Sequence, residues 1–209
     1  VRVVGAGGQP DRTGPGRVAR LVDGGRAAAG PAAGGMDRPA GGGPPGAAGE
    51  STASLLGSAV RLLVEDGGLQ DKLRANPALI PNFIEEVVRL ETPFKFHYRF
   101  VNHDTQLCGT SLKAGDVLLL GWASANRDPA IWEDADMLKL DRRLPERHFG
   151  FGYGIHFCIG APLARLEVRV ALEELLAGTQ RIAPDPGFPN AFAPSVFVRR
   201  MQHLHLRVA

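Results

Sequence analysis

A single cysteine set among glycines, in the run Phe151-Gly152-Tyr153-Gly154-Ile155-His156-Phe157-Cys158-Ile159-Gly160, leads straight into Leu163-Ala164-Arg165 at the head of an apolar, helix-like pattern. A cysteine sulfur must be ionised to bind a metal, and the backbone amides at a helix start favour that negative charge. Gly160 lies where those amides begin. Gly152 and Gly154 give the chain turns that residues with a Cβ resist, and they let a flat ligand approach the main chain. The chemistry this suggests is a thiolate offered to a metal held in a large planar cofactor. The plain alternative for Cys158 is a small buried apolar residue at a helix start. Cys108, in Gln106-Leu107-Cys108-Gly109, has no such surroundings and is expected at the end of a strand, in the core.

Other side chains are spaced for chemistry of their own. Glu86 and Arg89 stand three apart on an apolar helix, so they share a face and can pair; alone, such a pair is usually a solvated bridge of little worth. Glu50-Ser51-Thr52 places an acid beside two hydroxyls at the head of another apolar run, the pattern of an ordinary N-cap. His203 and His205 form an H-x-H on one face of a strand, with no third metal ligand nearby in sequence.

The cysteine run resembles the haem-binding signature of the cytochrome P450 family, F-G-x-G-x-H-x-C-x-G followed by L-A-R, matched without a break from Phe151 to Arg165. The resemblance implies haem b, iron protoporphyrin IX, with Cys158 as the axial ligand; a thiolate there favours O–O cleavage. Phe151, Gly152, His156 and Gly160 belong to the same loop, and His156 in place of Cys158 as ligand would leave the thiolate's surroundings without a purpose. The family pairs E-x-x-R on one helix with an arginine from the irregular stretch before the cysteine, which implies a structural triad of Glu86, Arg89 and Arg142. Ala47-Ala48-Gly49-Glu50-Ser51-Thr52 resembles the distal-helix signature A-G-x-E/D-T-T/S, so Glu50 and Ser51 match the catalytic proton relay. Ser51 stands where threonine is usual, and Ala48 where glycine is usual. Arg99, His148 and His156 match positions that hold the haem propionates, although Arg99 also suits a solvated strand and His148 an exposed loop. Arg142, Arg143, Arg147 and Arg165 surround the loop and suit either a solvated rim or a docking patch for an acidic electron donor, a ferredoxin or flavodoxin-like protein.

The elements that must position these groups can be read from periodicity. Leu55, Leu56, Ala59, Leu62 and Leu63 predict a helix over Thr52 to Glu65, ended by Asp66-Gly67-Gly68. A short helix follows over Leu69 to Ala75. Asn76-Pro77 opens a third, carrying Ile84, Val87, Val88 and Leu90, which Thr92-Pro93 stops. Strands are expected at His97–Val101, Thr105–Cys108 and Val117–Leu120, with Lys113 to Asp116 as the turn between the last two. Asn126 to Pro145 shows no period. A long helix runs from about Gly160 to Leu176, ended by Gly178, and His203 to Val208 alternates as one half-buried strand.

The chain has 209 residues, a formal charge of +2 and two cysteines with no C-x-x-C pair, which argues against a nucleic-acid binder, a disulfide framework or a zinc site. No apolar run is long enough to span a bilayer, so a soluble, cytoplasmic protein is expected. Residues 1–49 are rich in Gly, Ala, Pro and Arg, with too few large apolar side chains to offset their ordering entropy, and are expected to be disordered. The ordered unit, residues 50–209, is expected to be mainly α with small β-sheets, an α+β fold corresponding to the C-terminal half of the P450 fold. The resemblance covers roughly Ala47 to Ala209 and lacks the family's N-terminal half. The function implied is a haem-thiolate monooxygenase inserting oxygen into a small apolar substrate. Phe94 to His97 and Ala193 to Phe197 are expected to line its pocket. The alternatives are a catalytically inactive haem-binding remnant of a frameshifted or partial gene, and a tail that folds on a partner supplying the missing half.

Overall fold

The computed structural model describes residues 2–4, 44–143 and 145–209. Most of the segment expected to be disordered lies outside them.

Three large helices, with a shorter one beside them, form the core. The first, α1 (Pro44–Glu65), places Leu55, Ala59 and Leu63 on one stripe, all buried. It starts well before the expected Thr52, so Glu50 and Ser51 lie inside the helix and the N-cap reading of this segment is overturned. Asp66 separates it from α2 (Gly67–Ala75), whose N-terminus it caps by accepting the Leu69 N–H at 3.1 Å. A 3₁₀ turn at Pro77–Leu79 leads into α3 (Ile80–Leu90), which has Pro81 in its first turn. Every residue of α3 from Phe83 to Leu90 is buried, acids and arginine included, so it is a central helix rather than an amphipathic surface one. The third large element, α5 (Ala161–Ala177), follows the cysteine loop and packs Val168, Leu172 and Leu176 against α1 and α3.

The strands are short and peripheral. β5 (Val117–Leu120) pairs antiparallel with β2 (His97–Phe100) and parallel with β1 (Arg2–Val4) in a three-stranded sheet. β3 (Thr105–Leu107) and β4 (Thr110–Leu112) make a hairpin, with β4 just before the turn expected at Lys113 to Asp116, where no strand is expected from the sequence. Its two-residue connection is Cys108-Gly109, both with positive φ (47° and 77°), the geometry that tight hairpins demand. Cys108 is therefore exposed at a hairpin tip and not in the core, as its apolar neighbours had suggested. A single-turn helix, α4 (Trp122–Ala125), follows β5.

The tail is also divided more finely than its alternation predicted. β6 (Ile182–Pro184) pairs with β9 (Leu206–Val208), and β7 (Ala191–Phe192) pairs with β8 (Met201–His203). The single strand expected over His203 to Val208 breaks at His205, whose N–H is taken by Asn190 Oδ1 at 2.7 Å and whose carbonyl accepts from Asp185 N at 3.1 Å. Among the described residues no helix is long and apolar enough to cross a membrane.

Phe83 is fully buried where α1, α3 and α5 meet. Phe83→Ala is expected to lower the unfolding free energy by about 3–5 kcal/mol, read from the urea midpoint at unchanged slope.

Candidate functional site

The cysteine loop is built on backbone hydrogen bonds that only its glycines permit. Gly152 and Gly154 adopt positive φ (74° and 73°), and the Gly152 N–H returns to the Phe149 carbonyl at 2.9 Å. A short 3₁₀ turn at Gly154–His156 follows, and the Cys158 N–H then donates to the Phe151 carbonyl at 2.9 Å, closing the loop on itself. Gly150 is needed for another reason: a Cβ there would sit 2.3 Å from Val88 Cγ1, so the loop rests directly on α3. Gly160 is the N-cap of α5, and a Cβ on it would lie 3.8 Å from Cys158 Sγ in ordinary contact. Asn126, wholly buried, fixes the start of the loop by accepting the Phe149 N–H at 2.7 Å, while its amide donates to Thr92 Oγ1 at 2.9 Å.

Cys158 is exposed and faces a cavity of about 920 Å³, near the upper end of the range of small-molecule sites. The cavity lies among α1, β2, the cysteine loop and the start of α5. Phe151, Gly152, His156, Cys158 and Gly160 all line it, as do Ser51, Thr52 and Leu55 of α1. Arg99 lines it as well, two residues along β2 from His97 and so on the same strand face. Glu50 does not line it. Neighbouring residues on a helix point in different directions, and the Glu50 carboxylate instead meets Arg200 at 3.4 Å on the surface.

His148 is not on an exposed loop. It is 4% exposed and lies off the cavity, with both ring nitrogens engaged: Nδ1 accepts the Gly150 N–H at 3.1 Å, which leaves the proton on Nε2, 3.0 Å from Glu85 Oε2.

Beneath the loop, Glu86 and Arg89 pair at 2.7 Å, both 0% exposed, and Arg142 Nε reaches Glu86 Oε1 at 2.9 Å. The Arg89 guanidinium donates to both Glu86 oxygens and to the carbonyls of Asn126, Ala135 and Met137. Trp132 lies against both guanidinium groups, at 5.2 and 5.7 Å from its ring centre. Burial pushes the Glu86 carboxyl up, but hydrogen bonds from Arg89, the Lys139 N–H and Arg142 outweigh it and hold it below the carboxylate range. The solvated bridge left open by spacing alone is thus a buried network.

Sequence reading passed over two groups here, Glu85 and Trp122. Glu85, next to Glu86, accepts from Arg165 Nε at 2.6 Å and from Arg165 Nη2 at 2.9 Å. Burial pushes its carboxyl up, yet the bonds to Arg165 and His148 prevail and hold it down at about 2. The signal was present, since two adjacent acids inside an otherwise apolar helix cannot both face water. His97 and Trp122 also line the cavity, with Trp122 Nε1 donating to His97 Nδ1 at 2.7 Å; burial and then the Arg99 charge lower the imidazole's basicity. Of the expected pocket stretches, Phe94 and His97 line the cavity, and Phe197 packs against Phe94, Phe96 and His97 at 5.2 to 5.6 Å. Several apolar side chains stay in solvent: Ile155 is 97% exposed and the cavity-lining Ile159 100%, with Leu163, Leu166 and Val170 on α5 also exposed. No group of three or more metal-ligating side chains occurs among the described residues, so His203 and His205 stay a pair of rings 5.7 Å apart.

Residues 59–187 match the family described as Cytochrome P450. The chain belongs to the cytochrome P450 family. It is 50% identical over 163 residues to Cytochrome P450 144 of Mycobacterium tuberculosis, covering 78% of this chain and 37% of that protein. It is 41% identical to the polyketide biosynthesis cytochrome P450 PksS of Bacillus subtilis, over 74% of this chain and 38% of that one. Among solved structures, substrate-free cytochrome P450 CYP150A6 of Mycobacterium marinum superposes with a TM-score of 0.75 at 36% identity, over 77% of this chain and 41% of that chain. CYP109E1 of Bacillus megaterium, solved with corticosterone, gives 0.73 at 37% identity, over 76% and 42%. The architecture described above is accordingly the α+β architecture of the C-terminal half of the P450 fold, and the chain spans about two fifths of the length of these P450 relatives.

P450s carry haem, and the residues present fit it. The cavity is predominantly apolar, bounded by glycine backbone that admits a flat ring, and offers one soft sulfur donor with a histidine and an arginine for the acidic edge.

Two outcomes are expected. Arg89→Lys leaves fewer donors for the same buried acceptors and is expected to cost about 3–5 kcal/mol of unfolding free energy by urea titration. Because the Glu85 carboxyl is held at about 2 against an ordinary 4.5, its stabilisation is complete above pH 4.5 and is lost as the pH falls toward 2. Wild type should therefore lose about 3 kcal/mol over that window through this group, a share absent from the acid titration of Glu85→Gln followed by circular dichroism.

Proposed function

We propose that this chain is the haem-binding portion of a P450 monooxygenase, with haem b held by the Cys158 thiolate. The observation that carries the reading is Cys158 lining the large apolar cavity from a loop whose backbone has glycine at the positive-φ positions 152 and 154. Bound there, the haem supplies dioxygen activation and transfer of one oxygen atom to a C–H bond. The chain's own residues do the rest.

Cys158 anchors the iron, and the amides at the start of α5 favour its anionic form. Arg99 and His156 hold the propionates through charge-assisted hydrogen bonds. Phe151 and the Phe94–Phe197 contact provide apolar walls that exclude water and suit a small apolar substrate. Two protons must reach the reacting oxygen from solvent. Glu50, in water, and Ser51, lining the cavity one residue on, form the two ends of such a path, with the Thr52 hydroxyl beside them. Electrons come from a ferredoxin or flavodoxin-like donor. Arg143 and Arg147 are exposed and available for its acidic face, whereas Arg142 and Arg165 are engaged by Glu86 and Glu85. The surroundings proposed are those of a soluble, cytoplasmic enzyme.

A second reading is a chain that binds haem without turnover, favoured by the exposure of the cavity-lining Ile159 and Leu163, since turnover requires a site closed to water. Reconstitution with haem and the reduced carbon monoxide spectrum test the shared premise: wild type should show the red-shifted Soret band of thiolate ligation, and Cys158→Ala should lack it. A Cys158→Ala spectrum equal to wild type would overturn the ligand assignment. Product formation with a surrogate donor then separates the two readings, and its absence in a thiolate-ligated chain favours the second.

A further inference from the structure

Glu85 and Glu86 are adjacent on α3, so their side chains leave the helix about 100° apart and serve different partners. Glu86 holds the irregular stretch. Glu85 reaches the two flanks of the cysteine loop: His148, ten residues before Cys158, and Arg165, seven after it. Arg165 meets it as a two-pronged fork at 2.6 and 2.9 Å, and His148 shares the second oxygen at 3.0 Å.

From there contacts run unbroken to the cysteine. The Arg165 guanidinium lies 4.6 Å from the centre of the Phe151 ring, and the Phe151 carbonyl accepts the Cys158 N–H at 2.9 Å. On the other flank, His148 Nδ1 receives the Gly150 N–H, at the glycine whose missing Cβ lets the loop touch Val88 of α3.

We propose that Glu85 is a positioning residue for Cys158: it clamps both ends of the loop to α3 through His148 and Arg165 and so sets the direction in which Sγ points. This rests on Cys158 being the haem ligand, and it assigns Glu85 a task separate from that of the Glu86, Arg89 and Arg142 network. A carboxylate is required because both partners present only donors to it. Glutamine would turn an NH₂ toward one of them, and aspartate, one methylene shorter, would reach one flank but not both.

The test uses the full chain in two forms. In the haem-free chain, hydrogen exchange is followed over residues 148–160 and, as a reference, over 55–64 of α1. Glu85→Gln is expected to speed exchange in the loop about tenfold, the loss of one charge-assisted hydrogen bond, while leaving α1 unchanged; Glu85→Asp should fall between it and wild type. In the haem-loaded chain, the same variants should show a smaller thiolate share of the reduced carbon monoxide spectrum, in the same order. Unchanged loop exchange in Glu85→Gln, or equal acceleration of loop and α1 in both Glu85 variants, overturns the proposal. If Glu85→Gln fails to fold, Arg165→Lys, which keeps the charge but loses the fork, decides: selective acceleration of the loop supports the clamp, and any other result overturns it. A wild-type chain without a thiolate spectrum sinks the ligand assignment instead, a failure that the exchange data on the haem-free chain distinguish from failure of the clamp.

Discussion

A guanidinium with no access to water organises this molecule. Arg89 has five N–H donors, and each is used: two on the Glu86 carboxylate and one each on the carbonyls of Asn126, Ala135 and Met137. A buried ion is tolerable only when its charge is matched and its donors are satisfied. The chain between Asn126 and Arg142 must therefore wrap so as to deliver those carbonyls, and Arg142 closes the wrap from the other side of Glu86. That stretch has almost no regular secondary structure because its order comes from one side chain rather than from repeated backbone pairing. Asn126, placed by the same wrap, in turn fixes the beginning of the cysteine loop.

The loop thus rests on α3 in three ways: through Asn126, through the contact of Gly150 with Val88, and through Glu85. Each uses a different physical device, respectively a neutral amide, a missing side chain and a charged fork. The thiol itself contributes little to this arrangement. Its orientation is inherited from a helix whose polar residues all point inward, an arrangement that sacrifices solvation for geometry.

Where local pattern and tertiary need coincide, the chain could be read in advance. The cysteine loop carries Gly152 and Gly154 at its two positive-φ positions, and α3 and α5 carry apolar residues at helical spacing, so both were legible. Spacing alone could not tell whether Glu86 and Arg89 were dry, because an exposed pair has the same separation. Cys108 misled because a hairpin's tight turn and a strand's apolar end look alike until the partner strand is known. The burial of His148 was not legible, because its neighbourhood in sequence is the loop, whereas its neighbourhood in space is Glu85. The tail failed for a further reason: strands of two or three residues depend on partners far along the chain, such as Ile182 for Val208, and leave almost no periodic trace.

The apolar residues left in water on α5 and in the cysteine loop bear on how this chain comes apart. Unfolding changes heat capacity and denaturant sensitivity in proportion to the surface newly wetted, and Ile155, Ile159, Leu163, Leu166 and Val170 are wetted beforehand. In the haem-free chain the denaturant slope is consequently smaller, and the stability curve flatter with temperature, than those of a chain of equal length with these side chains enclosed.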